Sequence, residues 1–303
     1  MKTVCALIVN YGSYQDTVDY VSNLKTQKGI TLSILLVDNH SPGHSFEKLV
    51  QEYEGDPAVE VLQSAYNGGY AYGNNVGLRH LEDREIDFLL ISNNDIYLDD
   101  DHLLKKLVGV FPKLDKPAFV APCMYVNGLE DQKHQAWKLP TYWDDLRASL
   151  RLWYFLANKL GRTNDYQFEI ADQNPRDVQC LSGSFFMGQK ATFYQLDLFD
   201  ENTFLYGEES ILGQKVKAAG LNNYLIRSLR FDHVLGQTTG RFYSMIQLRK
   251  YWLQSTLYYQ KKYNEIGRGQ VFILQLFFVF WIFETGLLRG IRFLQQFRWK
   301  RKG

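Results

Sequence analysis

The chain has 303 residues, 46% hydrophobic and 22% charged, with 34 Lys and Arg against 33 Asp and Glu, for a formal net charge of +1. That length holds one large domain or a domain with an appendage, and so balanced a charge excludes the global basic field of a nucleic-acid binder. Cys5, Cys123 and Cys180 stand far apart with no CxxC pair, which argues against a disulfide framework or a zinc site and suits a reducing compartment.

The apolar run over residues 4–9 predicts a buried first strand, too short for a signal-peptide core, that ends in Asn10-Tyr11-Gly12-Ser13-Tyr14. A helix follows over 15–26, with Val18, Val21 and Leu24 on one face. Residues 34–37 form a second strand that stops at Asp38-Asn39-His40-Ser41-Pro42-Gly43, before a helix over 46–53 and a third strand over 59–62. The glycine-rich stretch from Asn67 to Gly77 opens a helix over 71–81. Residues 88–91 are then an unbroken apolar run closed by Ser92-Asn93-Asn94-Asp95, as expected of a strand buried on both faces. Strand alternating with helix predicts a mainly parallel sheet covered on both faces.

In such a sheet, ligands bind at the carboxyl ends of the strands. Asp95 there suits a divalent cation set against a diphosphate, because Mg²⁺ prefers one or two carboxylates plus phosphate oxygens. The plainer alternative has Asp95 capping a helix that starts near residues 99–101. Asp38 likewise serves either as an acceptor for a pyrimidine N–H or ribose hydroxyl, or as an Asx-turn residue before Pro42. Gly68, Gly69, Gly73 and Gly77 let a backbone approach a bulky anion at a helix N-terminus, although their spacing fits neither GxGxxG nor GxxxxGK[ST].

Taken in order, Ile8-Val9-Asn10-Tyr11, Val37-Asp38-Asn39-His40-Ser41, Asn67-Gly68-Gly69-Tyr70-Ala71-Tyr72-Gly73-Asn74-Asn75 and Asn93-Asn94-Asp95 form a set. It continues through Ser182-Gly183-Ser184-Phe185-Phe186-Met187 and Phe204-Leu205-Tyr206-Gly207-Glu208-Glu209. The set resembles family 2 inverting glycosyltransferases of the GT-A fold, in the rhamnosyltransferase-like branch that builds bacterial surface polysaccharides. The resemblance implies a Rossmann-like, mainly parallel sheet flanked by helices over 1–240, with a nucleotide-sugar half (1–116), an acceptor and catalytic half (117–240) and a C-terminal helical extension (241–303). It implies donor contacts from Asn10, Tyr11, Asp38 and Asn39, from Asn67, Gly68, Gly69, Ala71 and Asn74, and from Asn94, Asp95, Ser182 and Gly183. A Mg²⁺ or Mn²⁺ ion held by Asp95 and His233 is implied as well. Two departures stand out: many relatives carry Asp-x-Asp where this chain has Asn93-Asn94-Asp95, and Glu-Asp where it has Glu208-Glu209.

Another strand is expected over 119–122 and a further one over 180–187, whose small residues leave room for a ligand. The aromatic-rich region 125–176, with Trp137, Tyr142, Trp143, Trp153, Tyr154 and Phe155, is either an acceptor-side lid with flat faces for sugars or a helical insertion burying its own rings. Glu208 and Glu209 open a helix, a position the macrodipole favours for acids. A carboxylate with a raised pKa there also serves as the base that deprotonates an acceptor hydroxyl. By the family pattern Glu209 is the base and Glu208 its neighbour.

No segment reaches the roughly 18 apolar residues of a membrane span. Residues 241–263 read as a helix, and residues 271–283 as an apolar run of interfacial length. Beyond it Arg289, Arg292, Arg298, Lys300, Arg301 and Lys302 alternate with apolar and aromatic residues, the pattern of a helix lying on an anionic leaflet. The alternative is a hairpin packed on the catalytic domain or across a homodimer interface. The processive QxxRW signature is absent; Gln247-Leu248-Arg249-Lys250-Tyr251-Trp252 only approaches it.

The combined expectation is a cytoplasmic enzyme, peripheral on the inner face of the plasma membrane. It would move one sugar from a nucleoside-diphosphate-sugar, dTDP-rhamnose or a UDP-hexose, to a glycan acceptor carried on polyprenyl diphosphate. The rivals are a nucleotidyltransferase on a related sheet and a non-catalytic glycan-binding scaffold; the first strand loop lacks the Lys or Arg the former needs.

Overall fold

The computed structural model describes residues 1–150, 159–160, 174–234 and 242–299, with side chains as far as Thr285. Residues 1–139 and 165–243 form one compact unit, and 140–164 with 244–303 a second.

In the first unit, strands β1 (Thr3–Asn10), β2 (Thr31–Asp38), β3 (Val59–Gln63) and β4 (Phe88–Ser92) pair in parallel in the order β3-β2-β1-β4. Helices α1 (Tyr14–Leu24), α2 (Ser45–Glu52) and α3 (Gly69–His80) provide the connections. Period-two alternation divides each strand between two cores. Val4, Ala6, Ile8, Ile34, Leu36 and Leu90 pack on one face, while Leu7, Leu35, Val37, Leu89 and Ile91 pack on the other. Burial on both faces is why these strands read as continuous apolar runs.

The sheet continues through β11 (Phe185–Gln189), β6 (Pro117–Val126), β12 (Asn222–His233) and the short β5 (Ile96–Tyr97). β11 runs antiparallel to both β4 and β6, so the sheet is mixed beyond its parallel half. The single strand expected over 180–187 is two: β10 (Cys180–Leu181) pairs with β8 (Ala136–Trp137), and the chain turns at Ser182-Gly183-Ser184 to enter β11. The helix expected near residues 99–101 begins later, as α4 (Leu103–Val110), and its cap position is His102, so Asp95 caps nothing.

In the second unit, α5 (Tyr142–Ala148) starts at a Thr141–Asp144 capping box, and α8 (Met245–Tyr263) at a Ser244–Gln247 one. α6 (Lys190–Gln195) and α7 (Glu208–Ala218) precede them in the first unit, and α9 (Arg268–Trp299) closes the described chain. Tyr142, Leu253 and Leu274 centre the small core of the second unit. The apolar run of 271–283 is part of a 32-residue helix, and residues 268–285 are long and apolar enough to cross a membrane by length and composition. This corrects the expectation that no segment reaches that length; the gain comes from Arg268, Gly269 and Gln270 on the N-terminal side and Glu284 and Thr285 on the C-terminal side.

Candidate active site

The carboxyl ends of β1, β2 and β4 meet at one edge of the sheet, where amides and hydroxyls lock them together. Asn10 donates through Nδ2 to Asp38 Oδ2 (2.7 Å) and Ser45 Oγ (2.9 Å), and its Oδ1 accepts from Ser13 N–H and Thr17 Oγ1. Asp38 Oδ1 accepts the Ser41 N–H at 2.8 Å, a local bond that holds the bend before Pro42. Asn94 Nδ2 donates to Thr17 Oγ1 at 2.8 Å. Asn10 and Asp38 are fully buried and spend their bonds on this platform.

Above the platform lies a cavity of about 400 Å³ walled by Tyr11, Asn39, Asn67, Gly69, Tyr70, Asn93, Asn94, Asp95, Phe204, His233, Phe242 and Tyr243, among others. Asn39 Nδ2 holds the Gly69 carbonyl at 2.9 Å, and Tyr70 N–H donates to the Phe204 carbonyl at 3.2 Å. Gly69 sits at φ +87°, and a Cβ there would overlap that same carbonyl oxygen, so the approach of the two segments requires glycine. Asn67 Nδ2 donates to the Tyr243 hydroxyl at 3.0 Å, and the Tyr11 and Phe242 rings meet edge-on at 4.8 Å.

Pairing of β5 with β12 sets Ile96 opposite His233, which brings the neighbouring Asp95 carboxylate to 3.3 Å from His233 Nε2. Asp95 Oδ1 is buried and makes no hydrogen bond among the described residues. A buried, unsatisfied carboxylate oxygen beside an imidazole nitrogen is a donor set that fits a divalent cation. Asp100, Asp101 and His102 also cluster, but Lys106 and Lys28 pair with the two acids there.

A second cavity, of about 340 Å³, shares Tyr70, Asn93, Leu205 and His233 with the first and adds Asp131, His134, Ser182, Gly183, Ser184, Tyr206, Glu208 and Glu209. The chain enters α7 through two left-handed residues, Tyr206 (φ +72°) and Gly207 (φ +84°); a tyrosine held there stores backbone strain. Glu208 is 5% exposed, and its Oε1 has no hydrogen-bond partner among the described residues. Glu209 Oε1 accepts the Gly183 N–H at 3.3 Å, and the Tyr70 hydroxyl donates to the Gly183 carbonyl at 2.6 Å. Burial raises both carboxyl pKa values, and the Glu209 charge raises that of Glu208 further. Both carboxyls are thus biased toward the protonated form, and both line this cavity. The helix dipole accounts for two acids at this N-terminus, but not for the unpartnered Glu208 oxygen.

Residues 5–196 match the family described as Glycosyl transferase family 2. The chain belongs to that family. It is 23% identical over 246 residues to an N-acetylglucosaminyl-diphospho-decaprenol L-rhamnosyltransferase of Mycobacterium tuberculosis, covering 73% of each chain. It is 22% identical over 217 residues to the low-salt glycan biosynthesis hexosyltransferase Agl10 of Haloferax volcanii, covering 71% of this chain and 62% of that protein. Among solved structures, Staphylococcus aureus TarS 1–349 with UDP-GlcNAc superposes with a TM-score of 0.56 at 14% identity, over 91% of this chain and 71% of that one. A GalNAc-T7 complex with UDP, GalNAc and Mn²⁺ gives 0.56 at 16%, over 77% of this chain but only 44% of its own. The fold is thus the GT-A glycosyltransferase fold, and the protein is a glycosyltransferase.

Of the donor residues predicted for this glycosyltransferase, Tyr11, Asn39, Asn67, Gly69, Asn94 and Asp95 line the first cavity, and Ser182 and Gly183 the second. Asn10 and Asp38 lie beneath, Ala71 packs in the core, and Asn74 bonds the Tyr70 carbonyl while its buried Oδ1 has no partner. A Cβ on Gly68 would run into the Tyr72 side chain. Tyr70, Phe204, Asp131, His134, Phe242 and Tyr243 were missed as wall residues. Tyr70 and Phe204 sit inside recognised motifs, but Phe242 and Tyr243 carry no local signal. Of the predicted aromatic lid, Trp137 donates its indole N–H to Ser210 Oγ at 3.2 Å, Tyr142 and Trp143 belong to α5, and Trp153, Tyr154 and Phe155 lie outside the described residues.

Proposed function

We propose that the two joined cavities transfer a single sugar, with inversion, from a nucleoside-diphosphate-sugar to a hydroxyl of a glycan precursor. One observation carries this reading: the Asp95–His233 pair and the Glu208–Glu209 pair open on cavities that share four wall residues. The donor occupies the first cavity with its diphosphate toward Asp95, and the acceptor enters beside Asp131 and His134. Glu209 takes the proton from the acceptor hydroxyl as that oxygen bonds to the anomeric carbon; the carbon–phosphate-oxygen bond breaks, and the nucleoside diphosphate leaves with its electron pair. Glu208 is buried beside it, and burial raises the proton affinity of both carboxyls, the base included. Asp95 and His233 would hold Mg²⁺ or Mn²⁺, which would supply positive charge against the departing diphosphate. The name of the mycobacterial relative supports rhamnose as the sugar and a polyprenyl-diphosphate-linked acceptor, which would bring the enzyme to the inner face of the plasma membrane.

The test is nucleoside diphosphate release with dTDP-rhamnose, UDP-hexoses and Mn²⁺ or Mg²⁺, with and without an N-acetylglucosaminyl-diphospho-prenol, and the product anomer read by NMR. Acceptor-dependent release with inversion is expected. A product that retains configuration, or a chain that no donor protects from unfolding, overturns it.

A further inference from the structure

We infer that the outward face of α9 is a docking surface for an anionic lipid leaflet, with the helix lying in the interface plane rather than crossing it. Phe272, Leu276, Val279, Phe280 and Phe283 follow helical spacing on one face, and four of them are more than half exposed: Phe272 63%, Val279 60%, Phe280 51% and Phe283 73%. The stripe runs about 16 Å along the helix, an apolar patch that a soluble surface rarely leaves open.

The opposite face is committed to protein. Leu274, Trp281 and Thr285, again at helical spacing, are buried within the C-terminal unit. The Arg249 guanidinium lies 5.2 Å from the Trp281 ring and 3.9 Å from that of Trp252, and donates to the Ala148 and Ser149 carbonyls. Asp145 stands nearby, bonded by Gln260 Nε2 at 2.6 Å. A crossing orientation would carry this Arg and Asp into hydrocarbon, which is costly. Lying flat leaves them on the protein side and sinks only the phenylalanine face.

Charge selects the occupant. After Glu284 the chain has no acid and six cations: Arg289, Arg292, Arg298, Lys300, Arg301 and Lys302. Such a segment repels its own copy and is drawn to anionic headgroups. This surface deepens the proposed lipid-linked acceptor by placing the enzyme where that acceptor resides, and it rests on that reading only for its purpose.

Flotation of the full chain with vesicles of phosphatidylcholine alone, or with about 30% phosphatidylglycerol, tests it. The protein should float with the anionic vesicles only, lose binding as salt rises, and be released by alkaline carbonate. Combining Phe272→Ser, Phe280→Ser and Phe283→Ser should cut vesicle binding by roughly tenfold or more while leaving the melting temperature and transfer to a short-chain soluble acceptor unchanged. Four results would overturn the surface: failure of the intact chain to float, equal flotation of the triple variant, resistance to carbonate, or a dimer that the triple variant abolishes. Intact flotation without any sugar transfer would instead overturn the catalytic reading and leave the surface standing.

Discussion

Gly69→Ala is the sharpest probe of how the donor wall is built. At φ +87° an L-residue costs about 1–2 kcal/mol. The new Cβ would overlap the Phe204 carbonyl oxygen and lie 2.7 Å from its carbon, so the two segments must part. Parting them weakens the Tyr70 N–H bond to Phe204, worth about 1 kcal/mol. The total is about 2–3 kcal/mol, or roughly 4–12 °C in melting temperature for a unit of this size. Because Gly69 and Phe204 meet in the wall of the donor cavity, a shift near an ångström there should also weaken donor binding, by up to about a hundredfold. Gly43→Ala is the control: its φ is +78°, but nothing lies within 4 Å of the added Cβ, so it carries the backbone cost alone. Thermal melting and donor titration of both variants decide the matter. If Gly69→Ala melts with Gly43→Ala and binds donor like the parent, the tight wall is not what shapes the cavity.

Asp95→Asn keeps the shape but removes the charge of an oxygen that has no hydrogen bond; calorimetry should show the Mn²⁺-dependent gain in donor affinity reduced by at least about tenfold, and an unchanged gain would remove Asp95 from the metal site. Glu209→Gln should bind donor normally and lose about 10²–10⁴-fold in kcat, whereas Glu208→Gln swaps a proton-holding acid for its neutral isostere and should stay within about threefold; the reverse pattern exchanges their roles. Burial raises the Asp145 carboxyl to about 7, so the folded chain holds a proton that the unfolded chain releases from about pH 4. Its contribution is full below that range and is lost as pH rises toward 7, on the order of 2–4 kcal/mol; Asp145→Asn should flatten the decline in pH-dependent melting, and an identical slope would contradict the burial.

The strands of the parallel half were legible because burial on both faces leaves them almost no polar residue. β2 was read short, since its first residues Thr31, Leu32 and Ser33 are partly exposed. The break at Ser182-Gly183-Ser184 was invisible because β10 and β11 are both apolar and differ only in their distant partners, β8 and β4. Asp38 was open between donor contact and Asx turn; its Oδ1 holds the Ser41 N–H and its Oδ2 the Asn10 amide. The meeting of Asp95 with His233 depends on β5 pairing with β12, which no local pattern encodes; it came from family resemblance alone. Grouping of residues 140–164 with the C-terminal helices rests on bonds such as Gln260 to Asp145, equally beyond local reach.

Asn93-Asn94-Asp95 brings one carboxylate to a site that already holds two others. Asp95, Glu208 and Glu209 border the joined cavities, and Asn93 lines both. The Asn93 backbone N–H is fixed to the Ser184 carbonyl at 2.8 Å, so Asn93→Asp would add a carboxylate with the main chain held in place. A second acid should tighten Mn²⁺ in the absence of donor, because hard cations gain from each anionic oxygen. The same charge should raise the Glu209 pKa, since a like charge disfavours the ionised form. A base must be ionised to act, so the acidic limb of the kcat profile should move to higher pH. Mn²⁺ titration and a pH–rate profile read the two effects separately. If Asn93→Asp tightens the metal without moving the acidic limb, then Glu209 is not the group that titrates in turnover, and the base must be sought elsewhere along the acceptor wall.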